Sequence, residues 1–92
     1  MSLHFSRHAL EKARRRGIDI SYISQTLETP DELYRDIEHE TTIAIKRKDD
    51  NFVVVAYRRE NETVKVITVY YTTKLDKLVK SKTGRGAWKK IK

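Results

Sequence analysis

Apolar and polar positions alternate along this chain in two different periods, and the helical period comes first. At 100° per residue, Ala9, Leu10 and Ala13 fall on one arc of a helix. Ser6 is suited to cap the N-terminus of this helix, and Gly17 fits the left-handed residue that ends one. The pattern therefore predicts an amphipathic helix between Ser6 and Gly17.

A second helical stretch follows at once. Ile20, Ile23 and Leu27 recur at helical spacing, and Asp19 precedes them in the position of an N-cap. The Thr29-Pro30 pair stops the pattern, because the residue before a proline disfavours helical backbone. We expect a short second helix from this stretch.

Three later stretches have the composition and period of β-strands. Residues 41–46 alternate, residues 52–58 are almost continuously apolar, and residues 64–72 are rich in β-branched and aromatic side chains. Short turns at 49–51 and 60–62 join them. Because short connections favour antiparallel neighbours, these strands are expected to form an antiparallel meander.

Two weaker patterns complete the organisation. Residues 33–37 are interpreted as a short edge strand or an extended connection, and Leu75, Leu78 and Val79 predict a short terminal helix. The expected fold is α+β, with two N-terminal helices packed on a three- to four-stranded antiparallel sheet, followed by that helix and a basic tail. We assign residues 1–83 to a single domain and residues 84–92 to the tail.

Composition limits the chemistry that this domain can perform. The chain has 92 residues, with 38% apolar residues and no cysteine. Disulfides and cysteine-ligated zinc are therefore excluded. No apolar run approaches the length of a membrane span, so no membrane partner is expected and a cytoplasmic location is the default.

The positive charge is concentrated at the C-terminal end. Residues 1–73 contain 12 Lys and Arg against 12 Asp and Glu, whereas residues 74–92 contain eight against one, which accounts for the net +7. A basic segment is typical of proteins that bind polyanions, above all nucleic acids, although a solubilising tail would have the same composition. The cluster Arg14-Arg15-Arg16 favours binding.

Three short motifs carry a resemblance to a known family. They are His8-Ala9, Arg16-Gly17-Ile18 and, late in the chain, Ile67-Thr68-Val69-Tyr70. With the order of two helices, sheet and basic end, they resemble the RelE/ParE toxin superfamily of small ribonucleases. More specifically, they resemble an uncharacterised branch near the BrnT toxins and the colicin D-type nuclease domains. The resemblance extends from about residue 5 to residue 71.

The resemblance implies metal-independent RNA cleavage at a basic cleft. His8 is then the candidate general acid or base, because an imidazole titrates near neutrality. Arg16 is the candidate group that stabilises the charge on the phosphate. Tyr70 would donate a hydrogen bond or stack on a base. The expected nucleic-acid contacts are Lys12, Arg15, Arg58, Thr68, Lys74, Arg85 and Trp88.

Alternative interpretations remain open at this point. The same fold could serve as a non-catalytic nucleic-acid-binding module, and a purely protein-binding adaptor is a third hypothesis. Expected partners are RNA or another nucleic acid, and an antitoxin protein if the resemblance holds; a homodimer is compatible with the sequence. No cofactor and no metal site is expected, because His4 and His8 lack an obvious third ligand and His39 is interpreted as a solvated turn residue. Deleting residues 84–92 is expected to weaken nucleic-acid binding and to leave the fold intact.

Overall fold

A computed structural model describes residues 2–92 of the chain. Three helices and six strands follow one another in it: β1 (Ser2–Phe5), α1 (Arg7–Arg16), α2 (Ile20–Glu28), β2 (Glu32–Asp36), β3 (Thr41–Lys48), β4 (Asn51–Glu60), β5 (Thr63–Thr72), α3 (Leu75–Gly84) and β6 (Trp88–Lys90). The α+β class is thus as expected. No helix within residues 2–92 is long and apolar enough to cross a membrane.

The predicted three- to four-stranded antiparallel sheet is wrong, because the strands form one six-stranded mixed sheet in the order β1-β5-β4-β3-β2-β6. Strand β1 pairs in parallel with β5, in the register Ser2↔Thr63 to Phe5↔Val66. Strand β6 pairs antiparallel with β2 at the other edge, so β2 is an inner strand. These two edge strands have only four and three residues, too few for a period to identify them.

Helices α1 and α2 cover one face of the sheet, here called the helix face. Ala9, Ala13 and Ile23 are buried there against the valines of β4 and β5. The predicted cap is confirmed, because the Ser6 hydroxyl accepts a hydrogen bond from the Ala9 amide at 3.0 Å, and Gly17 ends α1 with a φ of 67°. Leu10, by contrast, is 38% exposed and lies outside the core.

The opposite face, here called the open face, is only partly covered, by α3. Leu75 of α3 and Trp88 of β6 are buried there against Ile43, Ile45 and Val54. Trp88 is 3% exposed and its ring centroid lies 5.4 Å from that of Tyr34. The segment expected to be a basic tail therefore contributes two core residues, Ala87 and Trp88, so its deletion should destabilise the fold rather than leave it intact.

The inner strands form the predicted meander around two-residue turns. Asp49 and Asn61, each the first residue of its turn, have positive φ values of 54° and 59°, which aspartate and asparagine tolerate better than most residues. The β4–β5 register shifts between Ala56 and Tyr57, and Ile67 is the unpaired residue on β5. The bulge brings Ala56 and Thr68 opposite each other on the open face.

Candidate functional site

The part of the open face that α3 leaves uncovered is a cleft of about 520 Å³. Its floor comes from β3, β4 and β5, and its walls come from the β2–β3 turn, β6 and the end of α3. The lining residues are Asp36, Glu38, His39, Glu40, Thr41, Ile43, Ala56, Arg58, Ile67, Thr68, Tyr70, Lys82 and Trp88. It therefore combines an apolar floor with titratable groups along one wall.

Asp36 is the centre of a hydrogen-bonded group in that wall. Its Oδ1 accepts from the His39 amide at 3.0 Å, and its Oδ2 lies 2.9 Å from His39 Nδ1 and accepts from Trp88 Nε1 at 3.3 Å. Burial raises the pKa of Asp36, but the hydrogen bonds from His39 and Trp88 outweigh it, so the pKa lies below its ordinary value of 3.8. The carboxylate is thus charged at neutral pH although its side chain is only 8% exposed.

The carboxylate of Asp36 orients the imidazole beside it. A carboxylate at Nδ1 favours the tautomer in which Nδ1 carries the proton, which leaves Nε2 of the neutral ring able to accept one. The His39 side chain is 66% exposed, so Nε2 is within reach of a ligand. An oriented, accessible imidazole of this kind is suited to general acid–base chemistry.

Arg58 holds the turn that carries His39. Its Nε donates to the Glu40 carbonyl at 3.2 Å and its Nη2 donates to the His39 carbonyl at 2.9 Å. Glu40 adopts a φ of 54°, a left-handed conformation uncommon for glutamate. These bonds use two of the five guanidinium N–H groups, and Arg58 lines the cleft, so the other three are available to an anion that binds there.

The rim of the cleft carries charges of both signs. Arg85, which follows α3, pairs with Glu38 at 3.1 Å, and both side chains are about half exposed. The Lys82 ammonium lies 5.9 Å from the centroid of the Trp88 ring, a cation–π distance. Arg85 thus stands beside an acidic partner, whereas Arg58 and Lys82 contact backbone carbonyls and an aromatic ring, and acidic side chains share the lining with them.

Tyr70 and Thr68 lie side by side on β5 and line the floor. Burial, reinforced by the negative charge of Asp36, raises the pKa of Tyr70. The phenol therefore keeps its proton at neutral pH and can serve as a hydrogen-bond donor. It is not a base at that pH.

The residues predicted from sequence divide between the two faces of the sheet. Arg58, Thr68, Tyr70 and Trp88 share the cleft, and Arg85 lies at its rim. The four predicted residues of α1 lie on the helix that covers the opposite face, where Lys12 is half-buried and the other three are exposed: His8, Lys12, Arg15 and Arg16. Lys74 is exposed beside the N-terminus of α3, in a separate depression with Phe52 and Asp76.

One contact links α1 to the cleft from behind. The Ser6 hydroxyl donates to the carbonyl of Ile67 at 2.9 Å, at the bulge in β5. Ile67 itself lines the cleft, so the cap of α1 also fixes a lining segment. His8 lies two residues further along the chain and is not among the lining residues.

The sequence interpretation missed the acidic wall of the cleft. His39 is an exposed turn residue, as predicted, but its hydrogen bond to Asp36 and its place in the cleft are not predicted by the sequence pattern, which assigns no role to Asp36 or Lys82. The spacing Asp36-x-x-His39 is compatible with an Asx-type turn in which both backbone and ring bind the carboxylate, which is the arrangement found. The buried position of Asp36 depends on β6, which the sequence pattern did not predict.

Comparisons with known proteins identify the family of this chain but assign it no function. No curated protein and no solved structure matches it. One family, described as "Domain of unknown function (DUF4258)", matches residues 5–71. That match runs from the end of β1 to the end of β5 and so includes both helices of the helix face and most of the cleft floor. Since it covers well over half of the 92 residues, this protein belongs to the DUF4258 family.

Proposed function

We propose that this protein is a small toxin-like ribonuclease that acts in the cytoplasm and cleaves RNA without a metal, in the cleft of the open face. The observation that carries the proposal is the position of His39, whose ring is held by Asp36 and whose carbonyl is held by Arg58. A phosphate that meets the three remaining Arg58 donors would lie close to an imidazole already oriented for proton transfer.

The reaction assigned to this site is attack of the ribose 2′-oxygen on the adjacent phosphorus. His39 Nε2 takes the 2′-hydroxyl proton, the new P–O bond forms and the bond to the 5′-oxygen breaks, with the proton for that oxygen supplied by Lys82 or water. Arg58 and the Tyr70 hydroxyl donate to the non-bridging oxygens, where charge accumulates in the transition state. The products are a 2′,3′-cyclic phosphate and a 5′-hydroxyl.

This assignment moves the reacting histidine from His8 to His39. Both side chains are exposed, but only His39 has a carboxylate partner and a neighbouring guanidinium among the hydrogen bonds of residues 2–92. His8 and Arg16 remain candidates for binding RNA that passes around the edge of β5. An antitoxin partner that occupies the cleft stays part of the proposal.

A labelled RNA oligomer incubated with the protein in EDTA tests the assignment. We expect wild type to cleave, His39→Ala to lose at least about 100-fold in rate, and His8→Ala to stay within about twofold. Circular dichroism confirms that each variant is folded. Loss of activity in His8→Ala but not in His39→Ala would move the site to α1, and loss in EDTA alone would end the metal-free mechanism.

A non-catalytic nucleic-acid-binding module is the second candidate. One observation favours it: the lining contains a single histidine, so no second imidazole is present there to protonate the 5′-oxygen as its bond to phosphorus breaks. Salt-dependent RNA binding by wild type without any cleavage would support this candidate over the first.

A further inference from the structure

We propose that Asp36, Glu38 and His39 form a binding site for a divalent transition-metal ion of the zinc type. Each of the three offers one ligand atom, and these atoms all lie within 4.8 Å of one another. The proposal concerns binding only and does not depend on ribonuclease activity.

The side chains suit such an ion in both geometry and chemistry. One imidazole nitrogen with two carboxylate oxygens is a donor set typical of zinc, whereas magnesium prefers oxygen ligands alone. The 2.9 Å between His39 Nδ1 and Asp36 Oδ2 is close to the separation of two atoms that share one metal ion. The ion would lie between these two atoms in place of their direct hydrogen bond.

The surroundings of Asp36 support the site from behind. Trp88 Nε1 and the His39 amide each donate to one carboxylate oxygen, which fixes the plane of the carboxylate. Such outer contacts orient a metal-ligating carboxylate before the ion arrives.

A second, independent observation comes from Thr41, which lines the same cleft. Thr41 is directly opposite Asp36 in the β2–β3 pair and is 2% exposed. Its hydroxyl is buried and has no hydrogen-bond partner within residues 2–92. Buried hydroxyls are normally paired, and this unpaired one lies in the same cleft lining as Asp36, where a metal-bound water would supply its partner.

Glu38 is the ligand that has to rearrange. It is paired with Arg85 at 3.1 Å, and both side chains are about half exposed. Exposed ion pairs contribute little stability, so a divalent ion can displace Arg85 at small cost. Exchange of one guanidinium for the ion leaves Asp36 and Glu38 balanced by a double positive charge.

Isothermal titration of the full chain with ZnCl₂ near neutral pH, without RNA, tests the proposal. We expect one saturable site per chain and at least about tenfold weaker binding in Glu38→Gln and in His39→Ala, since even outer-contact losses cost that much. Glu40→Gln, which removes a charge from the same turn outside the group of three, should bind as wild type does, and so should His8→Ala.

Four results would overturn the proposal: no saturable binding to wild type, equal binding in Glu38→Gln, equal binding in His39→Ala, or MgCl₂ binding as tightly as ZnCl₂. The last result would mean that the imidazole is not a ligand. Because the titration contains no RNA, its failure would leave the proposed ribonuclease untouched. The absence of RNA cleavage would likewise leave the metal site standing.

Discussion

Trp88 Nε1 donates a hydrogen bond to Asp36 Oδ2 at 3.3 Å, across 52 residues of sequence. The contact joins the last strand of the sheet to the turn that carries His39. It gives the buried indole its partner and gives the buried carboxylate one of its donors. Trp88, a residue expected from the sequence to contact nucleic acid, is therefore a structural support of the cleft.

Replacing Trp88 should destabilise the protein strongly. We expect Trp88→Ala to lower the free energy of unfolding by about 3–5 kcal/mol, because a large buried ring is removed. Trp88→Phe should lose less stability than Trp88→Ala, because phenylalanine keeps part of the buried aromatic ring. It should still be less stable than wild type, because it cannot donate the hydrogen bond to Asp36. Urea denaturation measures both, with Lys89→Ala as an exposed control on the same strand.

Deletion of residues 84–92 should destabilise the protein more than Trp88→Ala does, because it removes both Ala87 and Trp88 from the core. We expect that protein to be unfolded or insoluble. A truncated chain with an unchanged unfolding midpoint would mean that β6 is dispensable, and the description of the cleft wall would then fail.

The stability of the protein should fall in acid because of Asp36. Its native pKa lies below the ordinary 3.8, so its favourable contribution is complete above the unfolded-state value and is lost as pH falls through the native one. We expect urea midpoints to drop between neutral pH and about pH 3. Asp36→Asn should be less stable at neutral pH and should lose less than wild type on acidification.

Protonation of other groups also lowers the stability in acid, so a control variant that lacks a different carboxylate is needed. Glu40→Gln removes an exposed carboxylate from the same turn and should keep the wild-type pH dependence. An identical pH profile in Asp36→Asn and wild type would contradict the assignment.

Arg58 should matter to RNA binding both through its charge and through its position. Loss of one phosphate contact is expected to reduce the slope of log K against log salt by about 0.7 for a single strand. We expect that change in Arg58→Ala, measured by fluorescence anisotropy over a salt series. Arg59→Ala provides the control, because Arg59 is exposed and alternates to the other face of β4.

Arg58→Lys separates the two contributions. Lysine keeps the charge but cannot hold the His39 and Glu40 carbonyls together in the planar geometry of a guanidinium. We expect near-normal affinity with reduced cleavage in this variant. If Arg58→Lys cleaves as wild type does, the role of Arg58 in positioning His39 is excluded.

The parts of the fold with strong local patterns were predictable. Ser6 and Gly17 mark the ends of α1 because caps are local chemistry, and the turns at Asp49 and Asn61 lie within a few residues of the strands they join. The two edge strands were not, because their residues are few. Leu3 and Phe5 alternate over only four residues, and β6 combines one apolar residue with two lysines.

The site was predictable only in part, for a related reason. Tyr70 and Thr68 came from motifs on a long strand, and both line the cleft. Asp36 and His39 became recognisable only when β6 placed Trp88 over them. The sequence motifs also group His8 and Arg16 with Tyr70, but the sheet separates them. Helix α1 packs on one face, and the cleft that holds Tyr70 is on the other.

The inner strands and the two edge strands of the sheet differ in how far along the chain their pairing partners lie. Strands β3, β4 and β5 meet through two-residue turns, whereas β1 and β6 must close loops of roughly fifty to sixty residues before they gain any contact. Such strands join late during folding and open early during native-state fluctuations. Amides of β4 should therefore exchange with solvent most slowly and those of β6 among the fastest. The cleft can then come apart by a local unfolding event while the helix face stays packed.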